Sequence, residues 1–133
     1  MRRALGGICL LVVLGCGPKG PTFAPVAGTV TLDTKPIAEG KISFVTNGMV
    51  PEILDITDGK FAGKVMTGER RVEVAVYRPY QIPPDVPKSM YPLMEGGKEN
   101  YLPARYHKDT ILKATVAEKG DNTYTFDLTT KPD

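Results

Sequence analysis

The chain has 133 residues, with 17 Lys+Arg against 15 Asp+Glu, and its two excess positives are accounted for by Arg2 and Arg3; the rest is neutral and offers no basic stripe to displace counterions from nucleic acid. Its only cysteines are Cys9 and Cys16 and its only histidine is His107, which argues against a His/Cys zinc site, a Cys–His nucleophile pair or a disulfide framework in the body of the protein. Gly (14) and Pro (12) are too frequent for a helix bundle, and the length sets an expectation of one domain.

Met1-Arg2-Arg3 forms a short positive region, and Ala4 to Leu14 is an uncharged, mostly apolar run. Crossing a bilayer as a helix takes about twenty apolar residues. This run is shorter, and Gly17, Pro18 and Gly20 break any continuation. It reads as the hydrophobic core of a cleaved signal peptide, residues 1–15. Val13-Leu14-Gly15-Cys16 follows: two aliphatic residues, a small residue, then cysteine. This resembles the lipobox of bacterial lipoproteins. The resemblance implies cleavage between Gly15 and Cys16, with Cys16 as the lipidation site: a diacylglycerol thioether on its sulfur and an acyl chain such as palmitate on its freed amine. Gly15 is small enough to let a peptidase reach the scissile bond. Two or three acyl chains give stable anchoring, at about 0.8 kcal/mol per buried methylene. The competing reading is an ordinary secretory signal with an incidental cysteine. Gly17 follows the cysteine, which in a double-membraned bacterium using the common sorting rule favours the outer membrane, facing the periplasm. Residues 16–25 are rich in Pro and Gly and read as a flexible tether.

From Val26 the apolar period is two. Val26, Val30 and Leu32 alternate with Ala27, Thr29 and Thr31, and Asp33-Thr34-Lys35-Pro36 turns the chain. Ile42 and Phe44, then Leu54 and Ile56, mark two further strands. Asp58-Gly59 is a hairpin turn, because both residues tolerate positive φ. Phe61 and Val65, then Val72, Val74 and Val76, follow after a turn at Thr67-Gly68. After a long gap come Leu112, Ala114 and Val116, a turn at Lys119 to Asn122, and Tyr124, Phe126 and Leu128. Seven short alternating strands predict an all-β domain over residues 26–129, a seven-stranded antiparallel Greek-key β-sandwich, with 130–133 as a tail. Val30, Phe44, Phe61, Val74 and Phe126 are expected in its core.

The stretch Gly28-Thr-Val-Thr-Leu-Asp-Thr-Lys-Pro-Ile-Ala-Glu-Gly-Lys-Ile-Ser-Phe44, the Asp58-Gly-Lys-Phe61 hairpin, and Gly68 before Val72-Glu-Val-Ala-Val76 together resemble the carboxypeptidase regulatory-like domain, a transthyretin-like (prealbumin-like) sandwich. Arg70 and Arg71 stand where that family often has an aromatic. Leu102-Pro-Ala-Arg-Tyr106, Thr110-Ile-Leu112 and Asn122-Thr-Tyr-Thr-Phe-Asp-Leu128 resemble the second half of short bacterial lipoproteins built from one such domain, with His107 where that group often has Asn. The resemblance implies a non-catalytic module.

The residues themselves point the same way. Asp33, Asp55 and Asp58 are too few for the six or more oxygens calcium wants, and Asp33 and Asp58 are explained by their turns. The transthyretin-related hydrolases use a histidine pair and a C-terminal Tyr-Arg-Gly-Ser, whereas this chain has His107 alone and ends Thr129-Thr-Lys-Pro-Asp133. No catalytic residue, metal ligand or cofactor site is expected. The segment Pro79 to Ala104 carries six prolines with Tyr80, Tyr91 and Tyr101. Loops longer than about 12–15 residues are usually functional or disordered. A packed crossover and a mobile loop are both consistent with it. Tyr80, Tyr91, Tyr101 and nearby Arg105 are the candidate contacts for an envelope protein or glycan. The expected function is a lipid-anchored, non-enzymatic binding or structural accessory module of the cell envelope. The alternatives are a sugar- or peptide-binding module acting through this loop and, further off, an envelope hydrolase.

Overall fold

A computed structural model describes residues 20–132; Gly15 and Cys16, and the whole predicted signal peptide, lie outside the described residues. All seven predicted strands are strands: β1 (Phe23–Leu32), β3 (Glu39–Val45), β4 (Glu52–Thr57), β5 (Lys60–Met66), β6 (Gly68–Ala75), β9 (Lys113–Val116) and β10 (Thr123–Leu128). Three short ones add to them: β2 (Lys35–Pro36), β7 (Tyr77–Pro79) and β8 (Lys98–Asn100). The main sheet runs β10-β1-β5-β4-β3-β6-β9, with β2 on β1, while β7 and β8 form a separate antiparallel ribbon.

The sheet curls on itself. Phe44 of β3 lies 6.1 Å from the ring of Phe61 on β5 and 6.5 Å from that of Tyr124 on β10, at the far end of the strand order. Phe61 also stacks near Phe126 at 6.3 Å. β4 and β5 are joined by one pair, Thr57 with Lys60, beside their turn, so the sheet parts there and its two halves close over one core. Val30, Phe44, Phe61, Val74 and Phe126 are all buried in that core, as the period of two requires. Gly28 permits the closest approach: a Cβ there would sit 2.2 Å from the Tyr124 carbonyl oxygen and 2.6 Å from Phe61 Cζ.

Three expectations need correction. The tether does not extend to Pro25, because β1 begins at Phe23 and pairs with β5 from Phe23 to Thr29. Proline is tolerated because the β10 ladder begins only at Ala27, and the Pro25 carbonyl on that side accepts a bond from Asn122 Nδ2 (3.3 Å). The sheet is not wholly antiparallel, since β1 and β10 run parallel, with Val30 opposite Phe126; a parallel pair needs a long crossover, and nearly the whole domain separates these two strands. The predicted tail is tied to the domain at its first residue, for the Thr130 amide and hydroxyl both bond to Asp33.

The turns follow local chemistry. Asp33 and Thr34 (φ 49° and 71°) and Asp58 and Gly59 (φ 51° and 76°) each supply the paired positive φ of a two-residue hairpin turn. Arg70, in phase with Val72 and Val74, is buried; it pairs with Glu52 and bonds Thr46 and the Phe44 carbonyl.

The strand directions give the domain two ends. One gathers Phe23, the β3–β4 tip at residues 46–51, the Thr67-Gly68 turn and the β9–β10 turn at 117–122. The other gathers the Asp33-Thr34 and Asp58-Gly59 turns, residues 129–132 and the excursion from Tyr77 to Tyr106. The ten residues of β1, at about 3.3 Å each, put roughly 30 Å between them.

Candidate functional site

The excursion is a packed crossover. It leaves β6 at Val76, and β7 and β8 zip its base, with Tyr77 opposite Asn100. Asn100 locks the exit: its Oδ1 accepts from the Val76 and Leu102 amides (3.1 and 3.2 Å), and its Nδ2 donates to the Val74 carbonyl (3.3 Å). Between the two strands lie a 3-10 turn, Lys88–Met90, and the short helix α1, Tyr91–Met94, with no buried residue in either. On the return, Leu102 and Tyr106 enter the core, and the Tyr106 hydroxyl accepts from the Thr129 amide (3.0 Å). The rigid frame thus holds a solvent-facing tip.

The four predicted contact residues do not converge. Tyr80 and Tyr101 are exposed and Tyr91 is half-buried. Every ring pair among the described residues lies in the core instead. Tyr101 sits under the Arg78 guanidinium (5.4 Å), which pairs with Glu99 (2.7 Å). Arg105 is a staple: it packs over Tyr106 (4.9 Å) and its Nη2 donates to the carbonyls of Thr129 and Lys131, both at 2.6 Å.

Pattern reading missed Tyr77, which is exposed and forms the wall between two clefts on the outer face of β4-β3-β6. The first, about 550 Å³, is lined by Glu39, Lys41, Asp55, Thr57, Tyr77 and Lys98. The second, about 510 Å³, is lined by Ser43, Arg71, Glu73, Tyr77, His107 and Lys108. Tyr77 continues the alternation of Val72, Val74 and Val76 on the outward phase, so parity was the available signal. In the first cleft the Asp55 carboxylate hydrogen-bonds Lys41 and holds its ammonium above the usual lysine range. In the second, His107 Nε2 donates to the Leu102 carbonyl (2.9 Å), which leaves its ring tied to the main chain. Clefts of this kind, an aromatic wall with hydroxyl, amide and charged groups of both signs, suit a polar ligand with one flat apolar face.

A third cleft, about 560 Å³, opens at the end of β1 beside Thr31, Asp33, Asp127 and Lys131. The Asp33 carboxylate accepts from the Thr130 hydroxyl (2.6 Å), the Thr130 amide (3.0 Å) and the Thr129 hydroxyl (3.1 Å). These bonds, the Thr130 hydroxyl foremost, hold its carboxyl below the ordinary value of 3.8. A lowered carboxyl contributes stability that is present above the ordinary value and is lost as the pH falls through the lower folded one. Protection of the Thr130 amide, corrected for intrinsic exchange, is therefore expected to be constant above about pH 4 and to fade in stronger acid. Asp33→Asn should give weak protection at every pH. Equal protection in both proteins would remove Asp33 from the C-terminal clasp.

Among the described residues no group of three or more His, Cys, Asp or Glu side chains is placed to hold a metal ion, and no helix is long and apolar enough to cross a membrane. No family model matches the chain, and neither does any curated protein or any solved structure.

Proposed function

We propose that this chain is a lipid-anchored protein of a bacterial cell envelope, held by acyl chains on Cys16, whose β domain is a non-enzymatic binding or structural accessory module. The observation that carries the reading is the opposition of the two ends. Phe23, seven residues after Cys16, starts β1 at one end, and the Tyr/Pro excursion occupies the other, with two clefts running from its base along the outer face of β4-β3-β6. A domain tethered in this way presents the excursion away from the lipid. The finer fold assignment belongs to the same proposal: a Greek-key sandwich of the carboxypeptidase regulatory-like, transthyretin-like kind. Its support is the parting of the sheet between β4 and β5 and the motif order from Gly28 to Leu128.

Within this reading, the shared Tyr77 wall favours a sugar or an extended peptide as the ligand class. Acid–base or nucleophilic catalysis needs a reactive group, a partner that tunes it and donors for developing charge. His107 is bonded to a main-chain carbonyl, and Lys41 and Arg78 are paired with carboxylates.

Growing cells on a labelled fatty acid tests the anchor. Wild type is expected to take up label, and Cys16→Ser to lose it and accumulate as uncleaved precursor. Label retained in Cys16→Ser would overturn the anchoring site. Turnover of an ester, glycoside or peptide that His107→Ala abolishes would overturn the non-enzymatic reading.

A further inference from the structure

We propose that the end of the domain opposite the excursion is itself a membrane-contacting surface, with Val50, Met49 and Phe23 seated in the lipid interface; this rests on the anchoring of Cys16 proposed above. Three large apolar side chains stand in water at that end: Val50 is 87% exposed, Phe23 58% and Met49 50%. They come from separate parts of the chain that the fold brings to one end. Phe23 pairs with Met66, the Met66 amide donates to Glu52 (3.2 Å), and Glu52 follows the Met49-Val50-Pro51 tip directly.

The tip is held firmly for an exposed loop. Buried Arg70 clamps its two flanks by bonding Thr46 and the Phe44 carbonyl on one side and Glu52 on the other, and the Met49 amide donates to the Thr46 carbonyl (3.1 Å). Gly48 takes φ 78° at the bend, in the left-handed region that favours glycine. A loop so constrained presents its apolar residues outward in the folded state.

The length of chain leading to this end decides the occupant. Six residues separate Cys16 from Phe23, and the seven steps between those two Cα atoms span at most about 25 Å when fully extended. Acyl chains on Cys16 therefore keep this end within that distance of the bilayer, closer than the roughly 30 Å length of β1. Charge does not drive the contact. Glu69, Glu118 and Asp121 stand at this end with Lys64 and Lys119, and Glu52 and Arg70 pair with each other, so the described residues here carry close to balanced charge with a slight negative excess. The contact is an apolar one, and raised salt should leave it in place.

The absence of tryptophan from the chain makes a direct test available. Val50→Trp and Leu93→Trp each supply one reporter: Val50 at the proposed surface, Leu93 as exposed (78%) but in α1 on the opposite end. Both proteins are purified from the envelope of cells in their mature form and mixed with vesicles of phosphatidylethanolamine and phosphatidylglycerol. On vesicles the Trp at position 50 is expected to shift its emission to the blue and to be quenched by lipids brominated in their acyl chains, at low and high salt alike. The Trp at position 93 should do neither. Emission at position 50 that stays at its aqueous wavelength overturns the proposal. So does a blue shift without vesicles that grows with protein concentration, which would make the surface a contact between copies. Fatty-acid label on the same preparation reports the anchor separately. Labelled protein with an unquenched position 50 leaves the anchor standing and removes the surface; unlabelled protein with a quenched position 50 does the reverse.

Discussion

Phe44→Ala is expected to destabilise the domain by about 3–5 kcal/mol, the usual range for truncating a buried phenylalanine. The high end applies here. Phe44 is fully buried, and its ring reaches from β3 across to the other half of the curled sheet, where it meets Phe61 on β5 and Tyr124 on β10. A cavity at that point is walled by strands from two sides and cannot collapse without moving one half against the other. Since a small domain has roughly 5–15 kcal/mol in total, a large drop in the midpoint of chemical denaturation should follow. A midpoint within error of wild type would mean that the two halves are not closed over Phe44.

Glu52→Ala is the second large effect expected, about 3 kcal/mol or more, because it leaves a buried guanidinium without its counter-charge. The pair is asymmetric: the Arg70 side chain is 1% exposed and that of Glu52 21%. Removing Glu52 strands the buried partner, whereas Arg70→Met removes the buried charge and leaves a carboxylate that reaches water. Arg70→Met should therefore cost less than Glu52→Ala, and the double variant Glu52→Leu/Arg70→Met less than the Glu52 change alone. Denaturation midpoints of the three proteins decide the order. A Glu52→Ala protein as stable as wild type would show that Arg70 finds water or another partner once Glu52 is gone.

Much of the β framework was legible because alternation is a local signal. Each predicted apolar phase, from Val26 in β1 to Leu128 in β10, faces the core, and the Asp58-Gly59 hairpin follows from residues that tolerate positive φ. What was not legible depends on partners distant in sequence. Pro25 looked incompatible with a strand, and only the late start of the β10 ladder explains why it is not. The parallel β1–β10 pair carries no local mark. Asn122, read as a turn residue, is a buried clasp whose side chain accepts from the Ala117 amide and donates to the Ala117 and Pro25 carbonyls. Arg105 looked like a surface contact because main-chain acceptors such as Thr129 and Lys131 have no signature in a sequence. Arg70 was readable in principle, since it shares the parity of Val72 and Val74, but its charge masked the phase.

The candidate site divides along the same line. The excursion is visible as a run of prolines and tyrosines, yet its closure by β7, β8 and Asn100, and the role of Tyr77 as a wall between two clefts, arise from tertiary placement. The anchor, by contrast, lies wholly in the local pattern Val13-Leu14-Gly15-Cys16.

The most direct measurement is the intact mass of the protein taken from the envelope fraction of cells that express it. A mature chain beginning at Cys16 and heavier than its polypeptide by a diacylglycerol group, with or without a further acyl chain, is the expected result. An unmodified Cys16, or a mature chain beginning elsewhere, would contradict the lipid-anchored reading.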